Sequence, residues 1–188
     1  MTAFPEKNLI IKLLGISGSL RQASVNTAML RAMKELALNN IEITLYSALQ
    51  AIPPFNPDDE LAEKIPHEVI KLRNEMSAAD GILIASPEYA HGVSGVLKNA
   101  FDWVVGSAES IYRKPIALLN TSTRATIAYH HMRENIATMG GNIIDAVSKT
   151  IPLVNSHMTK DEIISDVAIS NLLKSILIEF YNSILDKK

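Results

Sequence analysis

The stretch LIIKLLGISGSLRQASVN, which runs from Leu9 to Asn26, decides the fold of this chain. Its first part, Leu9–Gly15, is a short apolar run that predicts a buried strand. A loop rich in serine and glycine follows, and apolar residues at helical spacing then continue through Asn26–Leu38. A buried strand, a polar loop and an amphipathic helix in this order form the first half of a β-α-β unit.

The same alternation repeats along the chain. Further strands are predicted at Ile41–Tyr46, Gly81–Ala85, Pro115–Asn120 and Asn142–Val147. Further helices are predicted at Pro66–Ala78, Val93–Val105 and Ala125–Met139, the last ending at Gly140-Gly141. A capping box at Thr159–Glu162 predicts a C-terminal helix with Ile163, Val167, Leu172, Ile176 and Phe180 on one face. The proline-rich and acidic stretch Ala51–Asp59 predicts a loop.

This pattern predicts an α/β fold in which a five-stranded parallel sheet lies between two helical layers. We expect residues 1–188 to form one domain, because no linker or repeat interrupts the alternation. Ligands of such sheets bind beyond the carboxyl ends of the strands, at the topological switch point. The loops after the first, third and fourth predicted strands are therefore the candidate site.

Composition excludes several functions. The net charge is −2, so no broad basic field predicts nucleic-acid binding. The absence of cysteine excludes disulfides, thiolate metal sites and a cysteine nucleophile, so redox chemistry requires a bound cofactor. The start of the chain lacks the pattern of a signal peptide, and no apolar run approaches the length of a membrane span. We therefore expect a cytoplasmic protein that does not bind membranes.

The loop after the first predicted strand has the composition of a phosphate site. Gly18 lets the backbone turn sharply and approach a ligand, and a helix begins where the loop ends, with free N–H groups that favour an anion. The loop matches neither the Walker pattern nor G-x-G-x-x-G. The alternative is a polar turn in which Ser24 or Asn26 caps the helix. The candidate ligand donors are Ser17, Ser19, Arg21, Ser24 and Asn26.

The loop after the third predicted strand, Ser86–Gly95, could border a flat heterocycle. Pro87 fixes one dihedral, and Gly92 permits close approach of the backbone. Tyr89 could pack beside a ring, and Glu88 could act as an acid or a base. The alternatives are ordinary packing for the tyrosine and a solvated loop position for the glutamate.

Three other sets of residues give weaker signals. His91 is typical of a surface histidine, and the adjacent pair His130-His131 does not share one helix face as metal ligands would. On the predicted helix Val93–Val105, Trp103 is expected to pack in the core, and Lys98 and Asp102 are spaced as a surface ion pair. The short loop Asn120–Arg124 either completes the ligand site or caps the next helix.

Two of these motifs resemble motifs that occur together in one known protein family. Gly18-Ser-Leu-Arg21 with Ser24 and Asn26 resembles the phosphate loop of the NADPH-dependent FMN reductase family, which includes quinone, azo and chromate reductases. Pro87-Glu-Tyr89, followed by Gly95-Val-Leu-Lys-Asn99 and Asp102-Trp103, resembles the second motif of that family. The likeness covers roughly Ile10 to Ile144. In two places this chain departs from the family pattern: Ala90 replaces the usual asparagine, and the loop Asn120–Arg124 lacks glycine.

The resemblance implies a flavodoxin-like fold, non-covalently bound FMN, NADPH or NADH as co-substrate, and a homodimer or homotetramer. It also implies that the first loop cradles the FMN phosphate through Ser17, Ser19, Arg21, Ser24 and Asn26. The residues that would border the isoalloxazine are Pro87, Glu88, Tyr89, Ala90, His91 and Gly92, with Ser122 nearby.

The function that follows is transfer of reducing equivalents from the nicotinamide to a small-molecule electron acceptor: a quinone, a flavin, an azo compound or a metal oxyanion. No catalytic side chain is required, because the flavin is the reacting group. One alternative is a module that binds FMN or another phosphate ligand with little turnover. A second alternative is a nucleotide hydrolase or transferase that uses Glu88.

Overall fold

The computed structural model describes residues 9–61, 64–122, 126–151, 153, 155 and 157–186. The strands are β1 (Ile11–Ser17), β2 (Ile41–Tyr46), β3 (Gly81–Ala85), β4 (Glu88–Tyr89), β5 (Gly92–Val93), β6 (Pro115–Leu119) and β7 (Asn142–Ile143). The α-helices are α1 (Val25–Leu36), α2 (Pro57–Leu61), α3 (His67–Ala78), α4 (Gly95–Val105), α5 (Ala108–Ile111), α6 (Thr126–Thr138), α7 (Lys160–Ser165) and α8 (Val167–Leu185). Within these ranges, no helix combines the length and apolar character needed to cross a membrane.

Five strands form a parallel sheet in the order β2-β1-β3-β6-β7, which confirms the predicted α/β architecture. The chain moves from β1 to one neighbour, β2, and then crosses to the other neighbour, β3. This reversal places the topological switch point at the carboxyl ends of β1 and β3, where a flavodoxin-like sheet binds its ligand.

Alternate residues of the strands feed two separate cores, as expected for a sheet buried on both faces. Leu13 and Leu83 pack with α1, α7 and α8, whereas Leu14 and Ile84 pack with α3, α4 and α6. The predicted three-layer sandwich is confirmed.

The C-terminal helical segment differs from the prediction. The capping box is present, since Thr159 Oγ1 accepts the N–H of Glu162 at 3.3 Å and Glu162 Oε2 accepts the N–H of Thr159 at 2.7 Å. The helix that it opens ends at Ser165, and Asp166 caps a second helix by accepting the N–H groups of the residues two and three positions on. Val167, predicted to lie in the core, is 73% exposed at this junction.

Two other sequence predictions were wrong in part. The stretch Ala51–Asp59 is not all loop, because α2 begins at Pro57. Proline favours the first helical position, and Asn56 Oδ1 accepts the N–H of Asp58 at 3.1 Å, so the proline and the acids mark a helix start. The fifth strand ends at Ile143 rather than Val147, because the chain turns there and pairs again only between Asn120 and Thr150.

A short hairpin after β3 was not predicted. The strands β4 and β5 pair antiparallel, Glu88 with Val93 and Tyr89 with Gly92. Because Val93 belongs to this hairpin, α4 begins only at Gly95. Two-residue strands carry too few residues for periodicity to reveal them.

Candidate functional site

The loop after β1 and the loop after β3 touch directly at Gly18. The N–H of Gly18 donates to the carbonyl of Ala85 at 2.8 Å. A Cβ atom at this glycine would lie 2.5 Å from Ser86 Oγ and 2.9 Å from Ser94 Oγ. A side chain at position 18 would therefore push apart the two loops that form the switch point.

The loop after β6 joins the same edge of the sheet through Asn26. This side chain is buried, and its Oδ1 accepts a hydrogen bond from Thr121 Oγ1 at 3.1 Å. Of the two residues considered for the helix cap, Ser24 fills that position, because its hydroxyl accepts the N–H of Thr27 at 3.3 Å. Asn26 instead links the first loop to a loop 95 residues away along the chain.

The first loop presents hydroxyl groups and one exposed cation around the start of α1. Ser17 Oγ lies 2.7 Å from Thr27 Oγ1, and the N–H of Arg21 donates to Ser19 Oγ at 3.3 Å. The Arg21 guanidinium is exposed, with Nη2 3.3 Å from His157 Nδ1. Because the first N–H groups of a helix have no intrahelical acceptor, this loop is chemically suited to an anion.

The β4–β5 hairpin forms a wall beside that anion site. Pro87 leads into it, and the turn at its tip places Ala90 and His91 at φ 49° and 56°. Tyr89 is 54% exposed. Left-handed backbone is uncommon for alanine and better tolerated by histidine, so the tip of the hairpin is strained at Ala90.

Glu88 ties the hairpin to α6. Its Oε2 accepts the N–H of Ala128 at 2.9 Å, and its Oε1 lies 3.0 Å from His91 Nδ1. The N–H of Ala128 holds the pKa of the Glu88 carboxyl below its ordinary value, and His91 lowers this pKa further. Both oxygens are engaged, so the carboxylate serves as a helix cap, which disfavours its predicted alternative role as an acid or base.

The third loop is described only in part. Ser122 is exposed, and its N–H donates to Asn120 Oδ1 at 3.0 Å. Thr123 and Arg124 of the predicted loop Asn120–Arg124 lie outside the described residues.

The second half of the second sequence motif lies away from these loops. Asn99 Oδ1 accepts the N–H of Phe55 at 2.8 Å, and its Nδ2 donates to the carbonyl of Pro53 at 2.9 Å. Trp103 is buried, as predicted, and its Nε1 donates to the same carbonyl at 2.9 Å. Lys98 and Asp102 form the predicted surface pair. These residues fasten the Pro53–Phe55 segment to α4.

The first loop itself lines a cavity of about 430 Å³, which Ser17, Ser19 and Arg21 border from the loop and which extends toward the end of β2. Tyr46 forms part of its wall, and burial raises the pKa of this tyrosine to about 12. Its hydroxyl donates to the carbonyl of Glu68 at 3.3 Å.

The fold is flavodoxin-like, and the loop at its switch point is chemically suited to an anion. The chain matches the family model of NADPH-dependent FMN reductases over residues 11–154, and it belongs to that family. The sequence resemblance is thereby confirmed, together with the FMN cofactor, the NAD(P)H co-substrate and the oxidoreductase class that it implied. Neither alternative function receives support from the comparisons.

Two relatives illustrate the range of the family. The chain is 38% identical over 130 residues to an NAD(P)H-dependent FMN reductase of Pseudomonas aeruginosa, which covers 67% of this chain and 69% of that protein. It is 30% identical over 145 residues to a quinone reductase of Escherichia coli K12, covering 74% and 75%. Among solved structures, FerB, an NAD(P)H:(acceptor) oxidoreductase from Paracoccus denitrificans, shares the fold with a TM-score of 0.76 and 23% identity, covering 94% of this chain and 98% of that one.

The residues of the switch point fit FMN. The cradle at Gly18 is ringed by hydroxyl groups and has no room for a side chain. Among the described residues, Ser94 Oγ is buried there without a hydrogen-bond partner, so the site keeps an unused donor. A phosphate monoester satisfies such donors.

Sequence reasoning missed two contributors to this site. Ser86 and Ser94 supply hydroxyls that surround Gly18. Ser94 is the N-cap residue of α4. Because serine is preferred at that position, the sequence could have placed its hydroxyl at the start of this helix.

Proposed function

We propose that this chain, as a single domain over residues 1–188, binds FMN without a covalent bond at the carboxyl ends of β1, β3 and β6. From there it passes reducing equivalents from NADPH or NADH to a quinone or another small acceptor. The observation that carries the proposal is the convergence of three loops on one point. Gly18 packs against Ser86, and Asn26 is bonded to Thr121.

The first loop holds the phosphate in this proposal. Arg21 supplies a charge-assisted hydrogen bond, which is about twice as strong as a neutral one. The hydroxyls of Ser17 and Ser19 and the start of α1, capped by Ser24, add neutral donors, and the amide of Asn26 fixes the loop against Thr121. The loop thereby anchors the cofactor and orients it toward the hairpin.

The hairpin borders the ring system. Tyr89 is exposed, and Ala90 and His91 form a left-handed turn at the tip of the hairpin. Pro87 and Gly92 fix the two ends of this wall, Glu88 holds it against α6, and Ser122 approaches from the third loop.

Bound FMN would supply the redox chemistry between the nicotinamide and the acceptor. The chain's own residues would bind the phosphate through the first loop and orient the ring against the hairpin. None of the described residues is required to transfer a proton.

The deciding experiment is an anaerobic absorption spectrum of the purified protein with NADPH and with NADH in turn. We expect a flavin spectrum that bleaches on addition of at least one nicotinamide and recovers when a quinone is added. A colourless protein that does not respond to added FMN would contradict the proposal. A flavin that stays oxidised would instead favour a binding module.

We also propose that the chain forms a homodimer or homotetramer in the cytoplasm. Leu61 and Val105 are 83% and 60% exposed and leave apolar surface for a second copy. The cytoplasm is where reduced nicotinamide nucleotides are supplied. Light scattering coupled to size-exclusion chromatography measures the assembly, and a monomer at micromolar concentration would contradict it.

A further inference from the structure

His157 reaches the first loop from a part of the chain that the family motifs do not cover. The family match ends at residue 154, and His157 lies just before α7. Its Nδ1 atom lies 3.3 Å from Nη2 of Arg21, which is 136 residues away along the chain. Among the described residues, this imidazole is the hydrogen-bond partner of the Arg21 guanidinium. The contact therefore joins a residue outside the family pattern to the cation proposed to bind the FMN phosphate.

The backbone at His157 is anchored on both sides. Its N–H donates to Asn155 Oδ1 at 2.8 Å. The next residue, Met158, is 8% exposed and packs in the core to which α1, α7 and α8 contribute. Beyond it, α7 is held to α1 by an ion pair in which Lys160 Nζ lies 2.6 Å from Glu35 Oε2. The segment that presents the imidazole to the first loop is thus docked on the body of the domain.

The backbone of Arg21 is anchored as well, whereas its side chain is exposed. Its N–H donates to Ser19 Oγ at 3.3 Å, and its carbonyl accepts the N–H of Ser24 at 3.1 Å. An exposed arginine samples many rotamers, and ordering such a side chain on a ligand costs free energy. The hydrogen bond to His157 limits those rotamers before a ligand binds.

The imidazole orients the Arg21 cation without neutralising it. An arginine is always protonated and only donates hydrogen bonds, so Nδ1 of His157 is the acceptor and the imidazole is neutral in this contact. No carboxylate of the described residues lies within ion-pair distance of Arg21. The guanidinium therefore keeps its full charge and its other N–H groups for phosphate oxygens.

We propose that His157 positions Arg21 for the phosphate of FMN, so that it acts through the arginine and does not itself contact the ligand. The inference rests on the proposed function, because it takes FMN as the ligand of the first loop. A preorganised cation loses less rotamer freedom on binding, so the contact strengthens FMN binding. Riboflavin has the same ring system but no phosphate, and the contact should leave its binding unchanged.

The test measures the affinities of the flavin-free protein for FMN and for riboflavin by fluorescence titration. We expect His157→Ala to weaken FMN binding about three- to tenfold and to leave riboflavin binding unchanged. His157→Asn should restore FMN binding, since its side-chain oxygen can take the place of Nδ1 as the acceptor. His67→Ala is the matched control, because it removes an exposed imidazole from α3, on the other face of the sheet.

A double-mutant cycle separates positioning from direct contact. In the Arg21→Ala background, His157→Ala should cause no further loss of FMN affinity, because the histidine acts only through the arginine. A loss that persists in that background would overturn the inference, since His157 would then contact the phosphate itself.

The inference is also overturned if His157→Ala binds FMN as His67→Ala does, if asparagine fails to rescue, or if riboflavin binding falls together with FMN binding. FMN binding of equal strength in the wild type and all the His157 variants would show that the proposed function survives this failure. A wild-type chain that binds neither flavin would overturn both.

Discussion

The loop after β1 and the outer end of α4 both carry motifs of the same family, yet the structure uses them in opposite ways. In the loop, the exposed guanidinium of Arg21 lies beside His157, and among the described residues the hydroxyls of Ser17 and Ser19 bond only within the loop and the start of α1. On α4, Asn99 and Trp103 bond across 44 to 50 residues to the Pro53–Phe55 segment. The first loop has polar groups available for a ligand, whereas the polar groups of Asn99 and Trp103 already bond to the Pro53–Phe55 segment and stabilise the fold. A motif residue whose polar atoms already bond to the protein therefore belongs to the scaffold, and one whose polar atoms are exposed is a candidate for ligand binding.

The largest effect is expected at Trp103, which is fully buried on α4. We expect Trp103→Ala to lower the free energy of unfolding by about 3–5 kcal/mol, because it empties a fully buried site and leaves the Pro53 carbonyl without its indole donor. Urea unfolding of the flavin-free protein measures this. If the alanine variant fails to fold, Trp103→Phe keeps most of the volume and isolates the lost hydrogen bond. A loss of FMN affinity at unchanged stability would instead place Trp103 in the binding site.

The complementary change is Arg21→Ala. It should weaken FMN binding by on the order of 1–3 kcal/mol, because it removes a charge-assisted hydrogen bond to the phosphate. It should change the free energy of unfolding by less than about 0.5 kcal/mol, since the side chain is exposed.

Fluorescence titration of the flavin-free protein with FMN measures the affinity. Lys174→Ala removes an exposed charge from α8 and is the control. Equal FMN affinity in the two variants would remove the first loop from the phosphate site.

Glu88, in the hairpin, combines the two behaviours, since it lies in a predicted binding motif but its carboxylate accepts a backbone N–H of α6. Its pKa is lowered in the folded chain, so its contribution to stability is present above the ordinary glutamate pKa of about 4.3 and is lost as the pH falls through the lower folded value. The free energy of unfolding of Glu88→Gln should therefore lie below that of the wild type at neutral pH and approach it as the pH falls below the lowered folded pKa of Glu88.

Denaturant unfolding at a series of pH values checks this expectation, with Glu179→Gln on the exposed face of α8 as the reference for loss of one carboxylate. A difference between the Glu88→Gln variant and the wild type that stays constant across this pH range would show that the lowered pKa does not act through folding.

The smallest expected effect is at the tip of the hairpin. Ala90 has φ 49°, a region that asparagine tolerates better than alanine. Ala90→Asn should raise the free energy of unfolding by about 0.5–1 kcal/mol. Ala137→Asn, at an exposed position of α6, should instead lower it slightly, because asparagine is a poorer helix former. Thermal unfolding compares the two, and a destabilised Ala90→Asn variant would contradict the strain at this turn.

Much of the fold follows from local pattern. The strands Ile41–Tyr46 and Gly81–Ala85 have the predicted bounds, because each is a short apolar or alternating run with clear punctuation. The helix break at Asp166 and the hairpin Glu88–Val93 do not follow from pattern. At Asp166 a side-chain cap interrupts a helical periodicity that would otherwise continue. In the hairpin, each strand has only two residues, too few to show a periodicity.

The sequence by itself determined the order of strands and helices, the family and the hydroxyl-rich, cationic composition of the first loop, since these depend on residues close together in the chain. Only the tertiary structure decided which distant residues form hydrogen bonds across the site. Asn26 meets Thr121 across 95 residues, and Glu88 meets Ala128 across 40. These pairs form only after the sheet places β1, β3 and β6 side by side. Local periodicity carries no information about which loops that order brings together.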